Sequence, residues 1–162
     1  MSIQNVQQAL TNLVKLHETL LEISQEKTEV IKEGKVDKLQ AILVKERKRV
    51  RELEKAETVR IQAVDAYVQE HPSITGASIT SLLEYIEMEK DRADLEASAI
   101  SLTEAITKLK QQEELNRALI SQSMQFVQLS LDLMNPSLKN MNYGEGKPAS
   151  SAAKRSVFDS KA

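Results

Sequence analysis

From Ser81 to Met134 the chain runs for about 55 residues without a single glycine or proline. A helix of that length spans about 80 Å, longer than a compact domain is wide. Composition points the same way. Of 162 residues only four are Gly and three Pro, there is no Trp, and aromatics make up 3%. Ala, Glu, Gln, Lys and Leu dominate, which is the makeup of long helices and argues against a β-sandwich or barrel. The chain is expected to be all-α. It has one domain's worth of residues, enough for a real core.

Upstream, Ser2 can cap a first helix. Ile3, Val6, Leu10, Leu13, His17, Leu20 and Ile31 then recur in steps of three and four, the spacing of one helical face. "KEGKVDKL" interrupts this pattern, with Gly34 as a stop and Asp37 as a new N-cap. A second helix follows, its inner side carrying Leu39, Leu43, Val50, Leu53, Val64 and Tyr67. Glu46 and Arg60 fall at or near heptad core positions, so that seam is narrow and partly solvated. "EHPSITGAS", with Pro72 and Gly76, is the clearest loop. Ser81 and Glu84 match a capping box that opens a third helix. "QLSLDL" alternates with period two, but its helical context and lack of a partner strand argue against a strand.

These signals predict an antiparallel three-helix coiled-coil bundle with a long C-terminal helix. The helices are expected at about 2–33, 36–70 and 79–134, within a domain of residues 1–135. Residues 136–162 are rich in Ser, Lys, Gly, Asn and Ala and are expected to be disordered on their own. If the first two helices form a hairpin about 50 Å long, the third finds partners only to about residue 112. Residues 113–134 then overhang.

That overhang contains "ALISQSMQFVQLSLDLM", in which Ala118 to Leu131 carry no charge although 28% of the whole chain is charged. On a helical wheel its Leu, Ile, Met, Phe and Val residues cover more than half the circumference, wider than one packed face requires. Left bare, the patch exceeds what a soluble monomer tolerates. A homodimer seam, a fold-back into a fourth helix, and a binding face for another protein would each cover it. A fold-back needs a breaker near "QQEELNR", where only Asn116 is available. Met and Gln suit an adaptable surface. The binding face is therefore favoured.

Catalytic chemistry is not legible. His17 and His71 lie on different elements, and the residues three before them are Val14 and Val68, so the Glu-x-x-His ligand pair of di-iron bundles is missing. His17 reads as a packing residue and His71 as a loop residue. There is no phosphate-cradling glycine loop or nucleophile elbow, so neither an enzyme nor a cofactor is expected. In "KERKRVRE" five bases within seven residues point all round a helix, Glu46, Glu52, Glu54 and Glu57 interleave or follow, and no aromatic stands beside them to stack on. This is a salt-bridged face rather than a nucleic-acid site. Net charge is −2, so no global field recruits nucleic acid or anionic membrane. The absence of Cys fits a reducing compartment. "MSIQNVQQAL" does not read as a signal peptide, and no apolar run approaches the length of a membrane span. A cytoplasmic protein is expected.

"EELNRALISQSMQFVQLSLDLM", followed within ten residues by "NYGEGK", resembles the C-terminal signature of the FlgN family of flagellar type III export chaperones. Its marks are a Leu-Asn pair, then a Leu, a Gln, an apolar run, and a Tyr-Gly after a short break. "LVKLHETLLEISQEKTEVIKEGKVDKLQAILVKERKRVRELEKAE" is similar to the family's N-terminal half, a helix ending at a one-residue Gly-type break before a Leu-rich helix. The resemblance covers roughly residues 5 to 146. It implies a chaperone for hook-associated proteins whose C-terminal helix binds cargo, prevents premature assembly and delivers it to the export gate. Carried over by position, cargo contact falls to Leu115, Leu119, Met124, Phe126, Val127, Leu131 and Met134. Gate docking falls to Tyr143, with a Tyr in a flexible "NYG" turn as the plain alternative and Phe158 as a rival anchor. The alternative from a different class is a homodimeric coiled-coil adaptor without chaperone activity.

Overall fold

The computed structural model describes residues 2–143, with side chains for residues 2–134. Four helices follow in order: α1 (Ile3–Glu33), α2 (Val36–Glu70), α3 (Ile79–Tyr85) and α4 (Glu89–Tyr143). The fold is all-α. The chain divides into two compact units, residues 1–120 and residues 121–162.

In the first unit α1 and α2 form an antiparallel hairpin. Its turn is Gly34, at φ 68° and ψ 24°, where the Gly34 and Lys35 amides return to the Ile31 and Val30 carbonyls. An L side chain is strained in that left-handed region by about 1–2 kcal/mol. No atom lies within 4 Å of where a Cβ would stand, so the backbone alone selects glycine. The new helix starts from Lys35 rather than Asp37, which sits in its first turn, where a carboxylate still favours the helix dipole.

Two apolar clusters hold the unit. One joins Ile3, Val6 and Leu10 of α1 to Ala63, Val64 and Tyr67 of α2, and takes in Ile74, Leu82, Ile86 and Leu95. The other, near the turn, consists of Ile23, Val30 and Ile42 with Leu39. The α1 face read from sequence holds from Ile3 to Leu20, whereas Val30 rather than Ile31 is buried beyond it. On α2 the expected inner residue Val50 is exposed. Ala56 and Ala63 are buried, because a narrow hairpin interface admits small side chains close to the partner helix.

The expected unbroken helix 79–134 is two helices. Ile86 turns to an extended conformation (ψ 115°), and residues 86–88 leave the helix. The break lets Leu82, Ile86 and Leu95 all enter the first cluster, so tertiary packing overrides good local helix propensity. The cap also differs. Ser78, not Ser81, is the N-cap of α3, and its hydroxyl accepts the Ser81 amide at 3.1 Å. At the far end α4 continues past Met134 and through Pro136 to Tyr143, where residues from 136 were expected to be disordered. Proline removes one helical hydrogen bond, but Leu138, Lys139 and Met141 are good helix formers, and glycine returns only at Gly144. Residues 144–162, including Phe158, lie outside the described residues.

The first unit also buries charge. Lys27, 5% exposed, donates to Glu46 of α2 at 2.6 Å and to both oxygens of Glu113 of α4 at 3.0 and 3.1 Å. Beside it Asn116, 1% exposed, donates to the Ser24 carbonyl at 2.9 Å and to the Ser24 hydroxyl at 3.0 Å. Ser24 in turn donates to Glu113 at 2.8 Å, Thr28 donates to the Asn116 side-chain carbonyl, and Gln112 donates to Thr28 at 2.6 Å. With the Gln7 amide reaching the Asp91 carbonyl at 3.3 Å, these bonds run α4 parallel to α1. The packed part of α4 therefore extends to Asn116, past the expected limit near residue 112. Asn116 is not a helix breaker but a buried bonding group.

Burial by itself pushes the Lys27 ammonium down, but its bonds to Glu46 and Glu113 and their charges outweigh this and hold it above the ordinary lysine value of 10.5. A raised lysine contributes stability fully below its unfolded value and loses it as pH rises through the folded one. The urea midpoint of the wild type should accordingly fall relative to that of Lys27→Met as pH passes above about 10.5. Leu82→Ala, at a side chain with no exposed surface, should lower the unfolding free energy by about 2–5 kcal/mol in the same assay.

Candidate protein-docking face

The second unit is the C-terminal part of α4, with side chains described from Ser121 to Met134. Its one charged residue in that stretch is Asp132. At heptad spacing, Phe126 lies one repeat before Leu133, Val127 before Met134, and Met124 before Leu131. All six, and Leu129, are exposed, Phe126 most of all at 71% and Leu133 at 70%. Ser123 and Ser130 lie between the two flanks of this apolar arc, and the Ser130 hydroxyl donates back to the Phe126 carbonyl at 2.9 Å. The stretch is thus a helix satisfied in its own backbone, presenting large flexible apolar side chains to water.

Five of the predicted contact residues, Met124, Phe126, Val127, Leu131 and Met134, gather on this unit as neighbours along one helix. Leu115 and Leu119 belong to the first unit, Leu115 exposed and Leu119 half-buried on either side of Asn116. Tyr143 is the last residue of α4 rather than part of a turn, and its side chain lies outside the described residues. Leu129 and Leu133, outside the predicted contact set, are exposed to the same degree as those five. Their place in the same apolar arc was the available signal. Among the described residues α4 runs uninterrupted from Glu89 to Tyr143, without the breaker that a fold-back after Asn116 needs.

Elsewhere the polar chemistry is structural. Lys45 pairs with Glu26 and Arg49 with Glu52, so the basic run is interleaved with carboxylates. Arg60 grips Glu57 through two bonds, 2.9 and 2.6 Å, which hold the Glu57 carboxyl below the usual range. His17 donates from Nδ1 to the Leu13 carbonyl at 2.8 Å. His71 does the same to Tyr67, stacks on that ring at 4.2 Å, and meets Tyr85 edge-on at 5.4 Å. Among the described residues no cluster of three or more His, Asp or Glu could hold a metal, and no helix is long and apolar enough to cross a membrane.

The sequence pattern of the FlgN protein family matches residues 1–151. The chain is also 34% identical over 164 residues, covering 100% of both sequences, to an uncharacterized protein, YvyG, of Bacillus subtilis (strain 168). No solved structure matches. Because Phe126 sits in no core, Phe126→Asp should leave the unfolding free energy within about 0.5 kcal/mol of wild type in a urea melt. A larger loss would make the segment part of a packed core.

Proposed function

Because the chain belongs to the FlgN family of flagellar export chaperones, we propose that it binds hook-associated proteins in the cytoplasm through the C-terminal part of α4. It holds them from premature assembly and hands them to the type III export gate. The observation that supports this reading is the stretch Met124–Met134, uncharged but for Asp132, whose large apolar side chains are all exposed on one continuous helix. A helix offered in this way is recognised by another amphipathic helix through anchors at i, i+3, i+4 and i+7. Burying each large side chain is worth about 1.5–3 kcal/mol. Three or four such anchors, less the costs of association and ordering, give micromolar or tighter binding.

In this mechanism Met124, Phe126, Val127, Leu131 and Met134 are the cargo anchors, with Leu115 and Leu119 extending the contact. Methionine at two of these positions lets one face repack against cargo helices of different shape. Tyr143, at the end of α4, is the gate-docking residue. Having no role in the hydrogen-bonded layer around Lys27, the anchors can be exchanged without disturbing the bundle.

The test is size exclusion with light scattering, the protein being run alone and then with each purified hook-associated protein. A stable mixed peak is expected, lost in Phe126→Asp and on truncation after Asn116. A cargo-indifferent dimer that persists on dilution would instead make the apolar stretch a self-association seam, and the adaptor reading would replace this one.

A further inference from the structure

Lysine almost never enters a core unpaired, and a buried ion pair is seldom a net source of stability. The position of Lys27 in its sequence row gives it a different meaning. Leu20 and Leu13 stand seven and fourteen residues before it. Glu46 lies midway between Leu39 and Leu53, and Glu113 midway between Ile106 and Ile120, each at a spacing of seven. Lys27 thus follows leucines in its heptad row and Glu46 stands between two, while on α4 Asn116 follows Leu95, Leu102 and Leu109 in the packed row and Glu113 lies beside it between the exposed Ile106 and Ile120. We infer that this polar layer is a register lock, admitting a single axial alignment of α4 on the α1–α2 hairpin.

Apolar rows that repeat every seven residues cannot set their own alignment. Sliding α4 by one heptad, about 10 Å, still lays leucine and isoleucine against leucine. What changes is the polar layer. A slide that advances α4 brings Leu119, Ile120 and Ser123 to the places of Gln112, Glu113 and Asn116. A slide the other way brings Ala105, Ile106 and Leu109. Neither offers Lys27 a second carboxylate, nor Ser24 and Thr28 an amide. A buried charge and buried hydroxyls stripped of partners make both alignments costly.

The hairpin itself needs no such device, because the joint at Gly34 and Lys35 already fixes α2 against α1. α4 is joined to the hairpin by the longer connection through residues 71–88, which packs with Leu95 in the first cluster at the opposite end of the bundle. The lock acts at the end far from that connection, as a single polar residue does in an apolar coiled-coil row, trading stability for register.

The chain has no cysteine, so spin labels attached through Thr11→Cys on α1 and Lys108→Cys on α4, both exposed, report the alignment by electron–electron distance measurement. In the otherwise wild-type chain one narrow distance is expected. With Lys27→Leu, Glu46→Leu, Glu113→Leu and Asn116→Leu together, a second population displaced by roughly 10 Å should appear. Retention of the single wild-type distance in that variant would overturn the lock. Should the all-leucine layer not fold, charge exchange decides. Lys27→Glu alone should lose the single distance, and Lys27→Glu with Glu46→Lys and Glu113→Lys should restore it. A single distance in Lys27→Glu, or no restoration in the exchange, counts against the lock.

Discussion

The ammonium of Lys27 has left water, and two other helices supply the carboxylates that make this tolerable. A lone buried charge costs several kcal/mol, so α1 cannot pack here without Glu46 from α2 and Glu113 from α4. Both glutamates keep part of their side chains in solvent, 23% and 34% exposed, which spares the layer full desolvation of three charges. Asn116, Ser24, Thr28 and Gln112 complete it, and no buried side-chain polar atom among the described residues lacks a partner. The first apolar cluster seats the start of α4 through Ile86 and Leu95. The polar layer fixes α4 at the other end of the hairpin, where no apolar cluster includes it.

The two units solve opposite problems. The first gathers its buried large side chains into two clusters and carries paired charges on its surface, as in Lys45–Glu26 and Arg49–Glu52. The second leaves large side chains in water with scarcely a charge near them. Glutamine and serine on the rest of that helix maintain hydration without introducing a charge that an apolar partner would have to desolvate. A chaperone surface has the same two requirements: it must stay in solution alone and must not resist dehydration when cargo arrives.

Much of this was legible in the residues. Glycine and proline placed the Gly34 turn and the 71–78 loop, and heptad spacing placed the α1 face. The uncharged stretch marked the helix whose large apolar side chains are exposed. What escaped was decided by contacts between distant parts of the chain. The break at Ile86 carries neither glycine nor proline, because its cause is the pocket formed with Leu82 and Leu95. Ser81 and Glu84 imitated a capping box while Ser78, one turn earlier, did the capping. Glu46 looked like a flaw in a seam because its partners lie 19 residues away on α1 and, through Lys27, on α4. The clue was Lys27 itself, in line with Leu13 and Leu20, together with an asparagine at the head of the uncharged stretch.

The turn at Gly34 has a consequence for the order in which the molecule assembles. Its two-residue joint lets α1 and α2 meet by closing a very short loop, and the entropic cost of closure grows with loop length. The bonds that seat α4 instead join residues 84 to 92 positions apart. The hairpin is thus the local, rapid event and α4 the late arrival, docking onto a surface already formed. Until it docks, Lys27 has one carboxylate instead of two and Leu82 and Leu95 have no completed pocket. As the chain leaves the ribosome the hairpin is made first, and the uncharged stretch emerges well after it, when the platform that aligns α4 is already waiting.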